Sequence, residues 1–283
     1  KDWAQALADI AVAVAQAKGV PAPVAGGMAP AQAQAIAQAL LAGERKAILL
    51  GNAAAHHGHA AQLLALAQWI GEQTGATVGY LTEAANTVGA QWVQAQPQKD
   101  GKNAGEMLTG AIKAAILLNT EPAFDAAAGA KGLEQADMVI TLSPFKANLD
   151  ISDVLLPVAP FTETSGTFVN AEGRVQSFHA VVKPLGETRP AWKVLRVLAN
   201  LLELPGFDYE SSQDVLTAAI GAETKEVPSA LRSNITKVAA KVPENEAAEP
   251  VTASIYQLDG IVRRATSLQL TADARLAREG GAA

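Results

Sequence analysis

At 283 residues the chain can bury one large core or two small ones, and its net charge of −6 and pI near 5.3 exclude the concentrated basic surface that nucleic-acid binding needs. It has no cysteine, which removes thiolate zinc sites, disulfides, cysteine nucleophiles and thiolate-held iron–sulfur clusters from these residues. The sequence starts at Lys1, shows no run in the order of a secretory signal, and has no apolar stretch near the ~20 residues that span a bilayer; it reads as a piece of a longer protein, with no direct membrane insertion.

Residues 3–17 and 31–42 are rich in alanine and predict two packing helices, divided by the breaker-rich loop GVPAPVAGGMAP at Gly19–Pro30. From Lys46 the pattern changes to short apolar runs, Ala47–Leu50, Thr77–Leu81, Ala114–Leu118, Met138–Leu142 and Val154–Leu156, with helical stretches between them. Strands spaced in this way predict parallel βαβ crossovers, since parallel neighbours need a long return connection. The expected class is α/β: a doubly wound, mostly parallel sheet with flanking helices, a β-hairpin extension and a helical C-terminal arm. The first crossover helix is the clearest, because Leu63, Leu66, Ala67 and Ile70 recur on one face.

Further along, Pro157 sits inside the apolar run Val154–Val158 and has no N–H for a ladder, so the strand should end or bulge there. Two polar turns follow, Thr164-Ser165-Gly166 and Asn170-Ala171-Glu172-Gly173, each with a glycine free to take positive φ. Thr167–Val169 and Arg174–Phe178 then predict a short strand pair. A helix starting near Pro190 should bury Trp192, Leu195, Ala199 and Leu202 before Pro205. Ser212–Ile220 predicts a short helix, and Gly221–Pro250 reads as a linker or a loosely docked arm. A last helix, roughly Ile255–Leu268, would present Leu258, Ile261, Val262, Ala265 and Leu268 as one stripe, to dock on this core or on a partner. The resulting organisation is a helical segment at 1–42, an α/β domain at 43–205, and a linker with a helical arm at 206–283.

Three constellations invite a functional reading. His56, His57 and His59 lie close together in the loop Gly51–Ala60, but the loop offers no acidic residue or fourth histidine, and His179 is far along the chain. Hydrogen bonds that anchor the loop are the expectation there. The same loop follows a strand and opens a helix, where α/β sheets place phosphates, yet it lacks both G-x-G-x-x-G and G-K-[ST]. Glu163, Glu172 and Arg174 could form an acid/base pair with a cationic clamp; the expectation is that they satisfy backbone donors or form one ion pair. Arg263-Arg264 is expected on a solvated or interface face. No catalytic, cofactor-binding or metal-ligating residue is assigned.

The stretch DVLLPVAPFTETSGTFVNAEGRVQ, Asp153–Gln176, resembles the region after the central α/β core in the molybdopterin oxidoreductase superfamily. Within it, AILLGNAAAHHGHAAQLLALAQWIGEQTGA (Ala47–Ala76), GETRPAWKVLRVLANLL (Gly186–Leu202) and above all SIYQLDGIVRRATSLQLTADAR (Ser254–Arg275) resemble the large iron–sulfur subunit of NADH:quinone oxidoreductase, respiratory complex I. In cofactor-bearing relatives of this fold, turns at the carboxyl ends of the strands face a pterin dinucleotide; the matching positions are Gly51-Asn52, Asn119-Thr120 and Ser143-Pro144. The complex I resemblance implies a non-catalytic scaffold instead, with no cofactor here and with iron–sulfur clusters held by cysteines upstream. It implies other subunits of the peripheral arm as partners, electron flow from NADH toward quinone, and a peripheral place on the cytoplasmic side of a bacterial inner membrane. The alternatives are a fragment of a molybdopterin enzyme acting on formate or nitrate, and a free-standing nucleotide-binding module.

Overall fold

The computed structural model describes residues 3–127, 129–243 and 254–280, and the chain divides into two compact units. The first holds residues 1–87 and 228–252, the second 88–227 and 253–283. Both are α/β, with parallel sheets flanked by helices. Among the described residues no helix is long and apolar enough to cross a membrane.

In the first unit, α1 (Trp3–Lys18) and α2 (Ala31–Ala42) fall where the alanine-rich runs place them. Their small side chains allow close approach, and Ala11 to Val14 of α1 pack with Ala33 and Ala37 of α2. Strand β1 (Ala47–Leu50) leads through the short helix α3 (Asn52–Ala55) into α4 (Ala60–Thr74) and then β2 (Thr77–Tyr80), parallel to β1 with Ala47 opposite Thr77. This is a complete βαβ crossover. The predicted face of α4 is the buried one: Leu63, Leu66, Ala67 and Ile70 are each almost wholly enclosed. Gly75 ends the helix at φ 75°, a left-handed position that glycine takes without a Cβ clash. The region read as linker returns here, since Asn234 Nδ2 donates to the Val78 carbonyl at 3.2 Å and Thr236 N–H to Gln68 Oε1 at 3.0 Å.

The second unit opens with α5 (Thr87–Trp92) and α6 (Ala104–Thr109), the latter started by a capping box between Asn103 and Glu106. Strand β3 (Ala114–Leu118), the short helix α7 (Pro122–Asp125), β4 (Met138–Ser143) and β5 (Val154–Pro157) follow. They make a parallel sheet in the order β3-β4-β5, with Leu118 opposite Leu142 and Ser143 opposite Pro157. Strand β4 is the central one, and Val139, Thr141 and Leu142 are enclosed. Strand β5 stops at Pro157, as a residue without N–H requires.

The hairpin strands are β6 (Gly166–Val169) and β7 (Val175–Phe178), antiparallel with Gly166 opposite Phe178. Asn170 Oδ1 accepts from the N–H groups of Glu172 and Arg174 at 3.1 and 2.9 Å, and Gly173 takes φ 85°, as the turn predicts. Gly166 departs from expectation: it has no positive φ and is part of β6. Its role is room, because a Cβ there would stand 2.6 Å from Cζ of the Phe178 ring.

Beyond the hairpin come α8 (Ala191–Leu201) and α9 (Ser212–Ile220). Ala199 is the buried residue of α8; Leu202, expected in the core, follows the helix and is 61% exposed. The C-terminal arm also departs from the single helix expected over Ile255–Leu268. It is α10 (Ile255–Leu258), a 3₁₀ turn at Val262–Arg264, α11 (Thr266–Gln269) and α12 (Ala272–Gly280). The break has a local cause: Asp259 Oδ1 accepts from the N–H groups of Ile261 and Val262 at 2.9 and 2.8 Å, offering the backbone an alternative to the helical ladder. The part of the linker at 244–250 lies outside the described residues.

Candidate functional site

Open parallel sheets receive ligands beyond the carboxyl ends of their strands, where successive turns diverge. In the second unit that edge is formed by the turns after β3, β4 and β5, and a cleft of about 200 Å³ opens there. Its lining includes Asn119, Ser143, Pro144, Phe161 and, on the side of the C-terminal arm, Asp259 and Gly260. Two of the three turns singled out by sequence, Asn119-Thr120 and Ser143-Pro144, thus meet at one edge. The third, Gly51-Asn52, belongs to the first unit, where the Gly51 carbonyl accepts from Ala54 and Ala55 at the start of α3.

The turns are fixed by short polar links. Asn119 adopts φ 52°, a left-handed value that asparagine tolerates, and its N–H donates to the Leu142 carbonyl at 2.9 Å. Asn148, at φ 56°, donates from Nδ2 to the Thr120 carbonyl at 2.9 Å, joining the loop after β4 to the turn after β3. Thr141 is enclosed in β4, and its hydroxyl meets that of Ser152 at 2.6 Å.

The strongest charges at this edge are four residues that sequence reasoning did not connect. Glu121, 8% exposed, opens α7 directly after β3. Its carboxylate accepts from Arg264 Nη1 at 2.7 Å and Nη2 at 2.9 Å, a two-pronged fork, and from Arg263 Nη2 at 3.0 Å. Arg263 Nη1 also reaches Asp125 Oδ1 at 3.3 Å. The guanidinium groups stack on aromatic faces, Arg263 on Phe124 at 4.5 Å and Arg264 on Phe145 at 4.2 Å. Arg264, more than burial opposes it, holds the Glu121 carboxyl below the usual glutamate range, with Arg263 adding to the effect; the same pairing raises Arg264.

Of the two faces expected for Arg263-Arg264, solvated or interface, the second is the one found. Arg263 is not on a solvated face, since its side chain is only 12% exposed; the pair docks the arm onto its own sheet edge. An available signal was the interruption of an apolar stripe by two adjacent cations just after Asp259-Gly260. The carboxylate they bind, more than 130 residues earlier, carries no local mark.

The other constellations resolve into local contacts. His56 Nε2 lies 2.7 Å from Glu83 Oε2, and His57 stacks on Trp3 at 5.8 Å while its Nδ1 accepts from the His59 N–H at 3.0 Å. Among the described residues no group of three or more His, Cys, Asp or Glu is placed to hold a metal ion. Glu163 accepts from the Leu185 N–H at 2.9 Å, whereas Glu172 and Arg174 form an exposed pair at 3.4 Å.

Comparison with known proteins adds to this geometry. The family model described as "Molybdopterin oxidoreductase" matches residues 25–201. A Staphylococcus aureus (strain bovine RF122 / ET3-1) protein named "Putative formate dehydrogenase SAB2186c" is 39% identical over 77 residues, 27% of this chain and 8% of that protein. "Probable oxidoreductase YjgC" of Bacillus subtilis (strain 168) is 40% identical over 70 residues, 25% of this chain and 7% of that protein. These matches span less than a tenth of the relatives' own length. With the parallel sheets, the hairpin and a family match running from 25 to 201, the chain belongs to the molybdopterin oxidoreductase family.

Proposed function

We propose that this chain is the α/β portion of a larger oxidoreductase of the family, with a parent of the formate dehydrogenase kind. The observation that carries this reading is the family match over residues 25–201, joined by relatives whose names describe formate dehydrogenase and oxidoreductase. In such a parent a pterin dinucleotide would supply the redox chemistry when bound.

The cleft after β3 to β5 does not fit that group as it is formed. Sites for ligands of drug size occupy roughly 300–1,000 Å³, against about 200 Å³ here. Glu121 and Asp259 bring carboxylates to the lining, where a diphosphate needs donors and cations, and Arg263 and Arg264 are committed to Glu121.

That misfit favours a second reading: a scaffold region of the large iron–sulfur subunit of NADH:quinone oxidoreductase. Its clusters would be held upstream, its partners would be other subunits of the peripheral arm, and it would sit peripherally at the cytoplasmic face of the inner membrane. The segment bearing that resemblance, Ser254–Arg275, contributes Asp259, Gly260 and Ile261 to the lining of the cleft. Metal analysis and pterin fluorescence of the intact protein from its native cell separate the readings. Stoichiometric molybdenum or tungsten with formate oxidation is the expected result for the first. Iron alone, in a complex that oxidises NADH with quinone, overturns it in favour of the second.

A further inference from the structure

The arm and the sheet edge are chemically complementary in a way that neither reading requires. Two guanidinium groups, each backed by an aromatic ring, make the kind of cradle that commonly receives a phosphate or carboxylate. Here the anion is internal. Glu121 is placed at the end of β3 by the Pro122 start of α7, and Asp125 holds it from behind by accepting the Glu121 N–H at 2.7 Å. On the arm, the Asp259 turn aims Arg263 and Arg264 at that carboxylate, and Arg263 Nη1 is also held by the Gln257 carbonyl. Gln269 braces the turn from the other side, donating to the carbonyls of Tyr256 and Val262 at 2.8 and 2.9 Å.

We propose that residues Ser254–Arg264 are a docked wall at the carboxyl edge of β3–β5, with Glu121 as the anion their two arginines bind, so that the narrowed cleft takes no nucleotide diphosphate while the arm is docked. The arm thus narrows the edge at which an open sheet of this kind would meet a ligand. The identity of the excluded group rests on the family reading given above; the docking of the arm does not.

Amide hydrogen exchange and a nucleotide titration on the intact protein test it. In the unaltered protein, amides at 119–125, 143–147 and 259–264 should exchange slowly, and millimolar GDP, the nucleotide half of a pterin dinucleotide, should leave the melting temperature unchanged. Arg263→Ala/Arg264→Ala should speed exchange in all three segments by about tenfold or more, since local opening then lacks the clasp. Arg264→Lys keeps the charge but loses the fork, and should give a smaller increase in the same three segments with the fold intact. Unchanged exchange in both variants would overturn the clasp. A GDP-induced rise in melting temperature of the unaltered protein, with 259–264 still protected, would overturn the exclusion. Molybdenum content bears on the parent enzyme and exchange bears on the arm, so the two proposals can fail separately.

Discussion

Glu121 makes the second unit sensitive to pH. Its folded carboxyl titrates below the ordinary value of 4.5 because Arg264, then Arg263, favour the charged form. A depressed folded value means that the stabilisation is complete above the ordinary glutamate value and is lost as pH falls through the depressed one. Acidification below 4.5 should therefore loosen the arm, seen as faster exchange at 259–264. Glu121→Gln should remove this acid limb. Breaking a fully buried pair costs about 3–5 kcal/mol, and because the Arg264 side chain is 34% exposed, water screens part of the loss. A loss of about 2–3 kcal/mol in urea unfolding at neutral pH is expected. If the difference between the two proteins does not shrink on acidification, the clasp is not what titrates. Asn148 is a milder case. Asn148→Ala gives up the bond to the Thr120 carbonyl and leaves alanine at φ 56°, for an expected loss of about 1–2 kcal/mol.

At the scale of elements, the packing of α4 against β2 reverses an ordinary rule. Glycine inside a helix is destabilising by about 1 kcal/mol relative to alanine, so Gly71→Ala in α4 would normally stabilise. Here a Cβ would stand 2.5 Å from Val78 Cγ2 and 2.9 Å from the Ala76 carbonyl, and the carbonyl is backbone that cannot swing away. Overpacking costs about 1–3 kcal/mol, so Gly71→Ala should lower the melting temperature; a rise would mean that the strand gives way. What could be read from sequence follows the reach of each signal. β1, β3 and the buried face of α4 lie where short apolar runs and a 3.6-residue period place them, because each is encoded within a dozen residues. The hairpin turn at Asn170–Gly173 is local in the same sense. In the arm, an apolar stripe at helical spacing predicts one helix, but Asp259 overrides it, because its side chain ends the helix after Leu258. Gly166 escapes the turn rule because a ring on the opposite strand, not φ, demands it. The clasp was out of reach for a different reason: Glu121 and Arg264 are paired by topology, and no periodicity reports that.

For the whole molecule the two units imply two responses to truncation. The chain runs through the first unit, spends 88–227 in the second, returns at 228 and leaves again at 253. The returning stretch is part of the first unit, with Asn234 and Thr236 bonded to Val78 and Gln68, although its composition alone reads as linker. Ending the chain after residue 253 removes Arg263 and Arg264 while leaving those bonds in place. Exchange should then quicken at 119–125 and 143–147, and stay slow in α4 and β2. Ending it after Val227 removes Asn234 as well and should quicken the segments around Gln68 and Val78 too. Units that open separately give this stepwise pattern, because protection follows the contacts each one keeps. If the shorter deletion already quickened α4, protection in the first unit would not follow its own contacts alone.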